Sequence, residues 1–175
     1  MIESTTRYNK ISETAGNSVR DDDFITALET FIDVYKEEKI KKENPVIPLS
    51  LFADRNLGVL EVLVKCLKEN YAFKYSSIAR ILNRNDRTVW ATYMKAKGKN
   101  NEKFPIKTEK YAVPCDVFCD REVGPLEALS IYLRDELHLS FMEISQQLKR
   151  NYRTIWLSYR NGLRKKENKG AINAQ

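Results

Sequence analysis

The sequence predicts an all-α fold: two tandem three-helix modules preceded by an amphipathic helix. Three observations predict it. Residues 47–96 align with residues 113–162 without a gap, at an offset of 66 positions, and LNRNDRTVWATY at 82–93 recurs as LKRNYRTIWLSY at 148–159. Each copy carries apolar residues at helical spacing. A further apolar stripe without a counterpart precedes the first copy. Upstream, Pro48, Phe52, Asp54, Arg55, Gly58, Leu60, Glu61, Leu63, Leu67 and Ile78 recur as Pro114, Phe118, Asp120, Arg121, Gly124, Leu126, Glu127, Leu129, Leu133 and Ile144. Such self-similarity marks a duplicated unit. About 50 residues per copy is close to the smallest size that buries a core alone, so each copy is expected to need a neighbour.

The elements follow in chain order. Residues 1–20 are polar and aperiodic and read as a mobile arm. Within 21–44, Phe24, Leu28, Phe31 and Tyr35 share one face of a helix, with the acids at 21–23 suited to its positive end. That face has no cover within its own segment, so it is expected to seal a module or to pair in a homodimer. The first module, 46–97, opens with the stripe Leu60, Leu63, Val64, Leu67. A short helix near 75–82 follows, and then a third helix that Asn85 can cap. Residues 98–112 read as a polar linker. The second module, 113–166, begins its first helix at Gly124-Pro125, Pro being tolerated where no backbone donor is missed. Ser140 and Glu143 have reciprocal-cap spacing ahead of a helix over 141–148, and Asn151 can cap the third helix. Residues 167–175 read as a disordered tail.

Composition narrows the function. The chain is 42% hydrophobic and 31% charged, as expected of a soluble globular protein. It contains no apolar run of membrane-spanning length and no signal-peptide features at its start. A cytoplasmic protein without a membrane partner is expected. The formal charge is +6, with bases gathered in the last third of each copy: Arg80, Arg84, Arg87 and Lys95, then Arg150, Arg153, Arg160, Lys165 and Lys166. Clusters repeated at matched places on one predicted element favour an anion-binding face, best suited to a phosphate backbone.

The stretch YSSIARILNRNDRTVWATY at 75–93 resembles a helix-turn-helix, closest to region 4 of bacterial sigma factors. The resemblance covers roughly 40 residues of each copy and nothing before residue 46. Ala79 and Ser145 match the family's small residue on the second helix. Asn83 and Lys149 stand where the family usually has Gly, and Arg84 and Arg150 where it favours an apolar residue. The resemblance implies double-stranded DNA as partner, with the third helix in the major groove. The expected DNA contacts are Arg84, Asn85, Asp86, Arg87 and Lys95 in the first copy. In the second they are Arg150, Asn151, Tyr152, Arg153 and Arg160, with Lys165 and Lys166 on phosphates. Arg suits guanine and Asn suits adenine, although Asn85 and Asn151 also suit plain helix caps.

Val89, Tyr93, Ile155 and Tyr159 are expected in the core. Trp90 and Trp156 then have two readings: braces against Pro48 and Phe52 or Pro114 and Phe118, or contacts between the copies or with a partner protein. Cys66, Cys115 and Cys119 align with Tyr132, Leu49 and Ala53, so apolar packing explains them better than a metal site; His138 is the only histidine. Asp54-Arg55 and Asp120-Arg121 read as capping ion pairs. No cofactor loop or repeated acid–base set is present, and an enzyme is not expected. The expected function is sequence-specific DNA binding in transcriptional control, in the cytoplasm at the nucleoid, reading adjacent major grooves. The competing reading is a protein-interaction adaptor, its partner RNA polymerase or another protein.

Overall fold

The structure, a computed structural model, describes residues 24–26, 28–31, 44–106 and 109–173. The chain divides into two units, Met1–Ile40 and Lys41–Gln175. In the first, residues 24–26 and 28–31 are helical, and Phe24, Leu28 and Phe31 are exposed. Tyr35 and the acids at 21–23 lie outside the described residues.

The second unit is predominantly helical. Strand β1 (Val46–Pro48) runs into a 3-10 turn at Leu49–Ala53 and helices α1 (Val59–Glu69), α2 (Tyr75–Ile81) and α3 (Asp86–Lys99). The order then repeats: β2 (Ala112–Pro114), a 3-10 turn at Cys115–Phe118, and helices α4 (Pro125–Ile131), α5 (Phe141–Gln147) and α6 (Tyr152–Asn173). Helix α4 continues as a π turn over Tyr132–Glu136. Among the described residues, no helix is long and apolar enough to cross a membrane.

The two strands correct the all-α expectation. Each is three residues long, too short for alternation to register in the sequence. They pair antiparallel, with Ile47 opposite its own repeat partner Val113, Val46 opposite Pro114 and Pro48 opposite Ala112. That register is what a two-fold axis through the Ile47–Val113 pair produces. The flanking bonds obey the same exchange: Leu49 N–H donates to Tyr111 O at 3.1 Å and Cys115 N–H to Pro45 O at 3.0 Å. The rings of Phe52 and Phe118, also repeat partners, meet at 6.0 Å. The repeats therefore join through an isologous interface, the same patch used twice.

Its hydrogen bonds contribute on the order of 1 kcal/mol each, whereas full burial of a large apolar side chain contributes about 1.5–3 kcal/mol. Ile47, Val113, Leu49, Phe52 and Phe118 are all essentially inaccessible, so the side chains under the strands stabilise the interface more than the strand hydrogen bonds do. The linker is likewise held down. Its first residues belong to α3, Phe104 is buried, and Asn70 Nδ2 donates to Phe104 O at 2.9 Å. Glu109 accepts from Ser50 N at 3.1 Å. The expected tail is helix to Asn173, because Lys169 pairs with Asp120 at 3.1 Å and ties the extension back onto the second repeat.

Within each repeat the local devices match. Glu61 accepts from Gly58 N–H at 2.9 Å and Glu127 from Gly124 N–H at 2.7 Å, closing the first turns of α1 and α4. Lys99 then reaches Glu61 and Lys165 reaches Glu127, both at 2.7 Å. The Ser140–Glu143 cap forms as the spacing predicts. Asp54 and Asp120 do not cap through their neighbouring arginines: each accepts from the backbone N–H two residues on, Asn56 at 2.9 Å and Glu122 at 3.0 Å. Such Asx turns need no cation.

This packing can be tested at two places. Burial pushes the Glu61 carboxyl up, but the Lys99 hydrogen bond, the Gly58 N–H and the charges of Lys99 and Lys95 outweigh it and leave it below the ordinary 4.5. A group lowered on folding stabilises fully above its unfolded value and stops doing so as pH falls through the folded one. Glu61→Gln should therefore lower the melting temperature at pH 7, with a deficit that shrinks as pH falls below the ordinary 4.5; a deficit independent of pH would contradict the assignment. The second place is Gly162, where an added Cβ would lie 2.7 Å from Ile131 Cδ1 and 3.1 Å from Glu127 Cβ. Gly162→Ala should destabilise by about 1–3 kcal/mol, overpacking outweighing the gain in helix propensity. Ile131→Val removes the clashing methyl, so the same substitution should cost less there in a double-mutant denaturation cycle.

Candidate nucleic-acid interface

The third helix of each repeat is set by a turn built the same way twice. After α2, Arg84 N–H returns to Ala79 O at 2.7 Å and Asn83 N–H to Arg80 O at 3.2 Å; after α5, Arg150 N–H returns to Ser145 O at 3.0 Å and Lys149 N–H to Gln146 O at 3.2 Å. This paired return is a Schellman closure and places a left-handed residue after the helix. Asn83 has φ 49° and Lys149 φ 48°. Lysine thus occupies a conformation that Asn adopts more readily, held there by the returning bonds. Asn85 and Asn151 then accept from Arg87 and Arg153 N–H, each at 2.8 Å, and start α3 and α6. Val89 and Ile155 are buried, and the tyrosine hydroxyls donate inward, Tyr93 to Glu69 at 3.2 Å and Tyr159 to Asp135 at 3.0 Å.

Fixing the inner face defines the outer one. On α3 it carries Asp86, Arg87, Trp90, Ala91, Met94 and Lys95; on α6, Tyr152, Arg153, Trp156, Leu157 and Arg160, all exposed. Arg87 and Arg153 occupy matched positions, and among the described residues neither side chain has a carboxylate partner. Lys95 lies 3.5 Å from Glu61 but stays largely exposed. Arg160 stacks over Trp156 at 5.4 Å. By helix position Lys95 corresponds to Asn161 and Arg160 to Met94, so these two expected contacts are not repeat partners. Tyr152 packs edge-on against Phe141 at 6.2 Å.

Other expected contacts are placed elsewhere. Arg84 and Arg150 are half-buried between the repeats. Arg150 Nη2 donates to Leu57 O of the other repeat at 3.3 Å. Burial and Asp116 push the Cys119 thiol up, and the Arg84 charge opposes them from across the axis. The neighbouring Asn83 Nδ2 donates to Cys119 O at 3.2 Å. A positive charge at a helix start reads alike in sequence whether it meets a phosphate or a carbonyl of the same chain. Lys165 is committed to Glu127, while Lys166 is exposed.

The bracing role for the tryptophans is also corrected. Trp90 is 52% and Trp156 37% exposed, while Phe52 and Phe118 pack on each other. Cys66 and Cys115 are fully buried, and burial pushes the Cys66 thiol up to about 12. No family profile matches this chain, and no curated protein or solved structure matches it.

Exposure of both indoles makes a direct prediction. Single-tryptophan variants Trp90→Phe and Trp156→Phe should each show fluorescence efficiently quenched by acrylamide in the folded protein. Trp90→Ala should cost under about 1 kcal/mol, as surface changes usually do. A loss of about 3–5 kcal/mol, typical of an excavated core aromatic, would restore the bracing role.

Proposed function

We propose that this protein binds double-stranded DNA in a sequence-specific manner and regulates transcription, using two helix-turn-helix modules. The observation that carries the reading is the matched pair Arg87 and Arg153. Each sits one residue into a capped helix, exposed and without a carboxylate partner among the described residues. An arginine free of carboxylates offers its bidentate fork to guanine, and a helix start presents backbone donors to phosphates. The outer faces add the cations Lys95 and Arg160, exposed Lys166 further along α6 is available to a phosphate, and the nearby acids Glu61 and Glu127 are neutralised by lysines of their own repeat.

The adaptor reading draws on a different observation. Trp90, Met94 and Leu157 are large, apolar and exposed on these same helix faces, a composition suited to a protein partner such as RNA polymerase. The helix containing Phe24 and Leu28 offers a second such face, for a homodimer or another protein.

A gel shift at graded salt separates the readings. Random genomic fragments should be bound at low salt, with affinity falling steeply as salt rises. Arg87→Ala with Arg153→Ala should weaken a selected site by about 2–6 kcal/mol, from about 1–3 kcal/mol per good base contact. Lys166→Ala should weaken all sequences alike and flatten the salt slope by roughly one unit. Absence of any binding at low salt would favour the adaptor.

A further inference from the structure

We propose that the target is an imperfect inverted repeat: a duplex whose two half-sites face each other across a dyad and are unequal in sequence. This rests on the duplex-binding reading and adds orientation and asymmetry to it. Orientation comes from the interface. Because the same elements follow each strand in the same order, the rotation that exchanges Ile47 with Val113, and the Leu49–Tyr111 bond with the Cys115–Pro45 bond, should also carry the start of α6 onto α3. Tandem repeats related by translation would read direct repeats; repeats related by a two-fold axis read inverted ones, because site symmetry mirrors protein symmetry.

A groove of about 480 Å³ supports placement of both third helices at the same end of that axis. Its floor includes two pairs of repeat partners, Val59 with Pro125 and Leu60 with Leu126. Lys95 of α3 borders it, and so does Arg150 at the head of α6. The groove therefore straddles the dyad with α3 on one flank and the start of α6 on the other. The turns leading to α3 and α6 are pinned across the interface by Asn83 and Arg150, so the spacing of the pair is held by the fold.

Asymmetry comes from the outer faces. Arginine and tryptophan are kept at matched positions, but four others change chemistry. Asp86 corresponds to Tyr152, Ala91 to Leu157, Met94 to Arg160, and Lys95 to Asn161. A carboxylate accepts from cytosine and disfavours phosphate, whereas arginine suits guanine and asparagine suits adenine. The half-sites should share the base read by Arg87 and Arg153 and differ around it.

The test is selection from a random duplex library with the full chain. The expected product has two inverted half-sites with centres about 10–10.5 base pairs apart, partly alike and partly different. A chain carrying Asp86→Tyr, Ala91→Leu, Met94→Arg and Lys95→Asn should select a more symmetric site, reversing an at least roughly tenfold preference for the natural one. The reciprocal changes on α6 should symmetrise it toward the other half. Direct repeats, a single half-site, or unchanged selection by both substituted chains would overturn this inference and leave duplex binding standing. No enrichment, together with no binding at low salt, would overturn both.

Discussion

The antiparallel pairing of Val46–Pro48 with Ala112–Pro114 is the contact on which the second unit depends. It is small, but its register places a residue opposite its own repeat partner and so defines an axis. Every larger element is disposed about that axis. The phenylalanines of the two 3-10 segments meet beneath the strands, and the turns after α2 and α5 reach across to the opposite repeat. Each repeat alone would leave this surface open. A three-helix unit near the lower size limit gains the missing burial from its duplicate.

Matched contacts show which parts of the repeat the fold requires. The Gly–Glu–Lys closures, the Asx turns, the left-handed residues Ala72 and His138, and the cations Lys68 and Arg134 bonded to Phe73 O and Leu139 O all recur. Departures come in compensating sets. Where the second repeat has Ile131 against Gly162, the first has Lys65 and Ala96. Lys65 is fully buried, paired with Glu69, and lies 5.2 Å from the centre of the Phe104 ring. A buried ammonium needs such neighbours, and the connecting segment supplies one of them.

Helices are legible in the sequence because their signals are local. Gly124-Pro125, Ser140 with Glu143, and Asn85 and Asn151 announce boundaries within a few residues, and the structure uses each of them. What escapes is non-local. Three-residue strands carry no period, and the Lys169–Asp120 pair that extends α6 spans 49 positions. Arg84 and Arg150 look like any basic helix start until the opposite repeat is in place. The tryptophans mislead for another reason: an aromatic beside buried Val89 and Ile155 fits either face of a short helix, and only the packing of Phe52 on Phe118 shows that the brace position is already filled.

The connecting segment has a consequence for how such a pair can diverge. A symmetric dimer of separate chains expresses every substitution twice, so a residue near the axis must tolerate its own copy. Here the segment between the repeats is packed down at Phe104 and Glu109 and keeps both halves in one polypeptide. Association is then unimolecular: dilution does not separate the halves, and mispairing of unlike subunits does not arise. Each position near the axis is free to change alone. Ile131 in place of Lys65, and Tyr152 in place of Asp86, are one-sided differences that covalent joining holds in a fixed ratio of one to one.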